Sequence, residues 1–202
     1  MAIPEKKYDV QIGLTLPKGA QEAVQKRASA SLRISEGSES PKEHQVRALT
    51  IHGAKEEDLS KIQKAFAAVK DRLQGLEFDA EAFAVRYVRG GMNLKIGSSQ
   101  EKDPFYHIEQ TFREALKQEG VHGVEIQSDP HIPLVHPREG VEAPPSLFSG
   151  YDMAKKIGWK AVPSEQLVME ERPHEPPKNS SSPDRRSRQA GQTPQPRPGK
   201  PS

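Results

Sequence analysis

An imidazole titrates near neutral pH, so a well-placed histidine is a ready proton donor or acceptor. The chain has seven histidines. His131 has the most informative setting, the run Asp129-Pro130-His131-Ile132-Pro133-Leu134-Val135. The run reads as a short strand entered through a proline turn, with His131 as its first residue. Strand alternation puts His131, Pro133 and Val135 on one face and Ile132 and Leu134 on the other. His131 and His136 then fall on opposite faces and cannot share a metal ion. His107 and His122 read as surface residues of a helix and a loop, and His174 as part of the C-terminal tail. The chain has no cysteine. Disulfides, thiolate metal ligands and a cysteine nucleophile are therefore excluded. Gly90-Gly91 reads as a hairpin turn rather than a phosphate cradle.

The elements that must position His131 are legible from periodicity. Tyr8, Val10, Ile12, Leu14 and Leu16 alternate with polar residues and spell a strand. Pro17 ends it and opens a helix with Ala20, Val24, Ala28, Ser31 and Leu32 on one face. A Ser/Gly/Glu/Pro loop over Ile34–Lys42 leads to a second strand from about Gln45 to His52, closed by Gly53. Leu59, Ile62, Phe66, Val69 and Leu73 form the apolar face of a helix that Gly75 stops. Phe78–Val88 reads as a strand, with Met92, Leu94 and Ile96 as its hairpin partner across Arg89-Gly90-Gly91. Asp103-Pro104 caps a helix buried through Phe105, Ile108, Phe112, Ala115 and Leu116, and Gly120 ends it. The His131 strand follows. Trp159–Glu170 reads as a last strand or strand pair, broken by Pro163. The order is β-α-β-α-β-β-α-β-β.

Composition separates a body from a tail. Hydrophobic residues make up 33% of the 202 residues. The deficit is concentrated in Pro173–Ser202, which holds eight prolines and, as its one aliphatic residue, Ala190. Such a segment cannot bury enough apolar surface to offset its ordering entropy, so it is expected to be disordered. The domain is expected over residues 5–172 and the tail over 173–202. The tail carries a net charge of +4 against +2 for the whole chain, which leaves the body at −2. The basic balance thus belongs to the tail. Arg185-Arg186-Ser187-Arg188 could touch RNA or an anionic membrane, and Pro194–Pro198 could offer a protein partner a polyproline segment. The N-terminus shows no apolar leader and no run is long enough to span a bilayer, so a soluble cytoplasmic protein is expected.

Over most of residues 8–172 this order resembles the 2H phosphoesterases, the superfamily of bacterial 2′-5′ RNA ligase-like cyclic phosphodiesterases. The first strand and Ala-rich helix match its opening. Val46-Arg47-Ala48-Leu49-Thr50-Ile51-His52-Gly53 occupies the place of its first His-x-Thr strand, which also ends in glycine. Pro104–Glu119, a loop and Pro130-His131-Ile132-Pro133-Leu134 resemble its second half-site, and Leu167-Val168-Met169-Glu170 its closing strand.

The resemblance implies an α/β (α+β) fold of two antiparallel-rich sheet lobes with helices packed outside. The two motif strands would lie side by side and aim their histidines into one groove. It also implies chemistry without a metal or cofactor on a 2′,3′-cyclic phosphate or RNA-type ester. One imidazole takes a proton from water or a 2′-hydroxyl while the other donates to the leaving oxygen. The threonine hydroxyls donate to the phosphate oxygens. This sequence departs from the motif at three of four positions: aligning Gly53 with the family glycine puts Val46 for histidine and Ala48 for threonine, and Pro133 replaces the second threonine. His44 and His52 share the parity of Val46 and are expected on its face, about 7 Å and about 20 Å away. The catalytic candidates are therefore His131 with His44, then His52. Thr50 is the hydroxyl on that face. Arg47, of opposite parity, is a phosphate ligand reaching from the strand edge. Two functions stand open. One is a cyclic phosphodiesterase acting on RNA ends or small cyclic nucleotides. The other is a catalytically inactive member of the fold that binds a nucleotide, an RNA or a protein in the same groove.

Overall fold

Alternating apolar residues bury one face of each main strand, and the irregularities in that alternation shape the molecule. A computed structural model describes residues 6–32, 37–88, 91–97, 104–138 and 150–174, with the backbone alone for 87, 88 and 150–154. The elements in chain order are β1 (Lys7–Thr15), α1 (Lys18–Leu32), β2 (Ser38–Glu39), β3 (Gln45–Lys55), α2 (Glu56–Arg72), β4 (Phe78–Val88), β5 (Gly91–Gly97), α3 (Pro104–Gln118), β6 (Glu125–Pro137), β7 (Gly150–Ala161), α4 (Pro163–Gln166) and β8 (Leu167–Pro173). The order expected from periodicity is present, with β2 and the single turn α4 added. Pro163 does split the final segment in two, as the first residue of α4. The expected turn at Arg89-Gly90, the Asp103 cap and the tail from 175 onward lie outside the described residues.

The strands form one antiparallel sheet in the order β7-β4-β5-β6-β3-β1-β8, with β2 paired to the end of β6. Its two halves meet where β6 pairs β3. The helices cover one face. Val24 and Ala28 of α1, Ile62, Ala65 and Val69 of α2, and Ile108 and Phe112 of α3 join Val10, Ile12, Ile51, Leu94 and Ile132 in a single core. Phe66 of α2 and Phe112 of α3 pack with ring centroids 6.2 Å apart. The opposite face carries the polar residues. No helix among the described residues is long and apolar enough to cross a membrane.

β6 corrects the reading of the His131 run. The strand begins at Glu125, so His131 is an interior residue and not the first. Pro130 does not end it, because it falls in the irregular stretch of the β3 ladder and beyond the last pair with β5. No ladder bond there needs the N–H that proline lacks. At the other end of the chain, Pro173 pairs with Tyr8, and the backbone N–H of His174 donates to the Lys7 carbonyl at 2.9 Å. The strand therefore continues through the boundary that composition sets at 172.

Phe112 is fully buried. Phe112→Ala is expected to lower unfolding free energy by about 3–5 kcal/mol, read as a fall in the urea midpoint with an unchanged slope.

Candidate functional site

The site begins with one cross-strand pair, Arg47 on β3 opposite His131 on β6. Its facing is set by an irregularity. The ladders of β3 shift against β1 between Ile12 and Gly13, and against β6 between Arg47 and Leu49. Ala48 and Leu49 are consecutive, yet both are buried. Alternation is thereby reset: Val46 and Ala48 point into the core on one side of the shift, Leu49 and Ile51 on the other. A one-residue slip exchanges the faces of a strand. The expected parity is therefore corrected. Val46 and Ala48 lie at 0% and 2% exposure in the core, and Arg47 projects from the open face.

His131 stands beside it. Its Nδ1 lies 2.6 Å from the Asp129 carbonyl oxygen. A carbonyl only accepts, so Nδ1 carries the proton and Nε2 keeps a lone pair. Burial, joined by the charges of Arg47 and Lys95, holds the imidazole below its ordinary range against the pull of Asp129. The ring is thus a neutral base with its tautomer fixed. The Asp129 carboxylate, two residues earlier on the same face, binds Arg86 of β4 at 2.5 Å and Lys95 of β5. Burial pushes the Asp129 carboxyl up, but Lys95 and Arg86 together bring it below the usual carboxylate range. Their charges are largely spent on Asp129.

Arg47 has no such partner. Among the described residues its guanidinium makes no hydrogen bond or ion pair. Burial weakens its hold on its proton, Arg172 repels it and Glu170 attracts it. It lines a cleft of about 420 Å³ with Gln11, Gly13, Pro133, His136 and Arg172. The cleft forms because the β3–β6 ladder stops at Arg47–His131. Two residues on, Pro133 has no N–H to donate, and the strands part. Gly13 keeps the floor low: a Cβ there would stand 2.8 Å from the Val46 carbonyl oxygen.

The other sequence candidates separate. His44 is 2% exposed beneath α1, with Nδ1 donating to the Pro133 carbonyl at 2.9 Å and Nε2 3.0 Å from the Gln25 side chain. It supports the parted strand and does not face the cleft. His52 pairs with Glu125 at the far end of the same ladder, roughly 15–20 Å of strand from His131. Thr50 pairs with Gln11, a cleft residue, and so shares the open face. His136 corrects a further expectation. The β5–β6 ladder shifts between the pairs Asn93–Pro133 and Met92–Val135, which turns Val135 into the core and His136 outward to line the cleft. His131 and His136 therefore share a face. The sequence signal for this was Pro130 and Pro133 in the interior of one strand, since proline in a paired strand marks a bulge or an edge. Lys95 and Arg86 were also missed. Lys95 is signalled by its place between the buried alternating residues Leu94 and Ile96.

Burial holds both His44 and His131 below their ordinary pKa near 6.5. The unfolded chain then binds more protons than the fold in that range, so stability rises with pH. Their contribution is complete above about pH 6.5 and is lost as pH falls toward the folded values. Urea unfolding is expected to show lower stability at pH 5.5 than at 7.5, with a smaller difference in His44→Gln. Equal stability at the two pH values would contradict this.

Neither a protein-family model nor a curated protein sequence matches the chain significantly. Solved structures do match. The MHV ns2 PDE domain superposes with a TM-score of 0.51 at 16% identity, over 75% of this chain and 100% of that one. TT0787 of Thermus thermophilus superposes with a TM-score of 0.50 at 15% identity, over 82% and 97%. At such identity the likeness is one of fold. Two central antiparallel strands, one bearing His131, join the halves of the sheet, and the chain has the 2H phosphoesterase fold.

Proposed function

We propose that the cleft binds the 2′,3′-cyclic phosphate of a nucleotide or an RNA 3′ end and does not turn it over by two-histidine chemistry. The observation that carries this reading is the partly buried guanidinium of Arg47, without a hydrogen-bond or ion-pair partner among the described residues, beside the unprotonated Nε2 of His131. A guanidinium offers a planar fork that matches two phosphate oxygens. Asp129 neutralises the neighbouring cations and Glu170 pairs Arg172 at the cleft wall, so Arg47 is the charge left for an anion. Two-histidine catalysis needs a second imidazole on the same phosphate. His44 is buried beneath α1, and His52 stands at the other end of the ladder. His136 stands five residues along the strand from His131, about 16 Å, with its Nδ1 3.2 Å from the Pro137 carbonyl oxygen. The motif hydroxyls are replaced by Ala48 and Pro133.

A second reading is favoured by one observation. His131 is held neutral with Nε2 free, the state a general base requires. Turnover would then proceed with His131 as base and a leaving group protonated from solvent.

Calorimetry with 2′,3′-cyclic AMP and with a short RNA ending in a cyclic phosphate is expected to detect binding that weakens with salt. Arg47→Ala is expected to weaken it about 10- to 150-fold, the worth of one charge-assisted contact. Unchanged affinity in that variant would sink the reading. Hydrolysis of the ligand, abolished by His131→Ala, would favour the second.

A further inference from the structure

Next to the cleft residues Gln11 and Arg172, three side chains that do not line the cleft come together. Asp9 is on β1, His52 on β3, and His174 immediately follows β8. The His52 Nδ1 lies 3.2 Å from the Asp9 Oδ1, and the His174 Nδ1 lies 2.7 Å from the same oxygen. One ligand atom from each residue falls within 4.8 Å of the others. All three are half-buried, and the two imidazoles meet edge to face at 6.5 Å.

The site is held from behind. The His52 Nε2 lies 3.2 Å from the Gln127 side-chain oxygen, so that with a cation on Nδ1 the ring's other nitrogen has an acceptor in place. Metal-bound histidines characteristically donate their other ring nitrogen to an oxygen in this way. The Gly53 N–H donates to the Asp9 Oδ1 at 3.3 Å and fixes the carboxylate. Gly53 holds φ at +74°, which places that N–H and which a side chain would oppose.

We propose that Asp9, His52 and His174 form a binding site for a divalent transition metal of borderline softness, such as Zn²⁺. Two imidazoles and a carboxylate without sulfur suit such an ion, and three protein ligands leave a position for water. Binding takes the place of the His174 Nδ1 proton, and the neutral imidazole carries its one proton on Nε2 instead. The ion joins β1, β3 and β8 and fastens the residue from which residues 175–202 depart. Its three residues do not line the cleft, although Asp9 pairs with the cleft residue Arg172, and no part of the inference rests on phosphate binding.

The full chain, stripped with a chelator and dialysed, is titrated with ZnCl₂ by calorimetry and followed by thermal unfolding. One ion per chain is expected, with a melting temperature that rises with Zn²⁺ concentration. His52→Gln and His174→Gln conserve approximate size and polarity and are first checked for a cooperative melt without metal. Each is expected to lose the Zn²⁺-dependent rise. Asp9→Asn supplies the third arm if either histidine variant fails to fold. A wild-type chain that binds no Zn²⁺, or folded variants that bind it as the wild type does, would overturn the site.

Discussion

The ladder between β3 and β6 organises the molecule. Over Glu125–His131 the two strands are paired and the sheet is continuous, so the helices can bury one face of it as a single core. At Arg47–His131 the pairing stops, and Pro133 cannot restore it. The carbonyl this strands is satisfied by the buried imidazole of His44. A backbone group left without a partner in the core costs about 1–3 kcal/mol, so the parted strands need that histidine. The opening of the cleft and the burial of His44 are two results of one missing N–H.

Charge follows the same geometry. Asp129 and His131 occupy alternate positions on the open face, close enough for the Asp129 carbonyl to fix the imidazole tautomer while its carboxylate gathers Arg86 and Lys95. Across the ladder, Arg47 is exposed to the repulsion of Arg172 and the attraction of Glu170, with no carboxylate of the described residues in hydrogen-bond contact. The open face therefore presents one satisfied cation cluster and one unsatisfied guanidinium. The proposed cyclic-phosphate recognition draws on the second, and the alternative proton-accepting role for His131 draws on the first.

Elements were legible in the sequence because their periodicity is long and regular. The strand alternation of Val10, Ile12 and Leu14 and the helical stripe through Ile62 and Val69 are each reproduced in buried positions. Faces were not legible beyond an irregularity. At Ala48–Leu49 and again after Pro133 the chain departs from a two-residue repeat, and every side chain past that point changes sides. Arg47, Val46 and His136 were misplaced for this reason alone. His131 was placed on the open face because its register with β5 is regular through Ile132 and Pro133. Long-range contacts were the other blind spot. His174 meets Asp9 across 165 residues, and composition assigned it to the tail.

The most direct test is nitrogen-15 NMR of the His131 ring during titration with 2′,3′-cyclic AMP at neutral pH. The free protein should show a neutral imidazole protonated at Nδ1. Binding at Arg47 should shift the Nε2 resonance while Nδ1 stays protonated. A His131 ring that does not respond to saturating ligand, or one already doubly protonated in the free protein, would contradict the assignment of this face as the phosphate site.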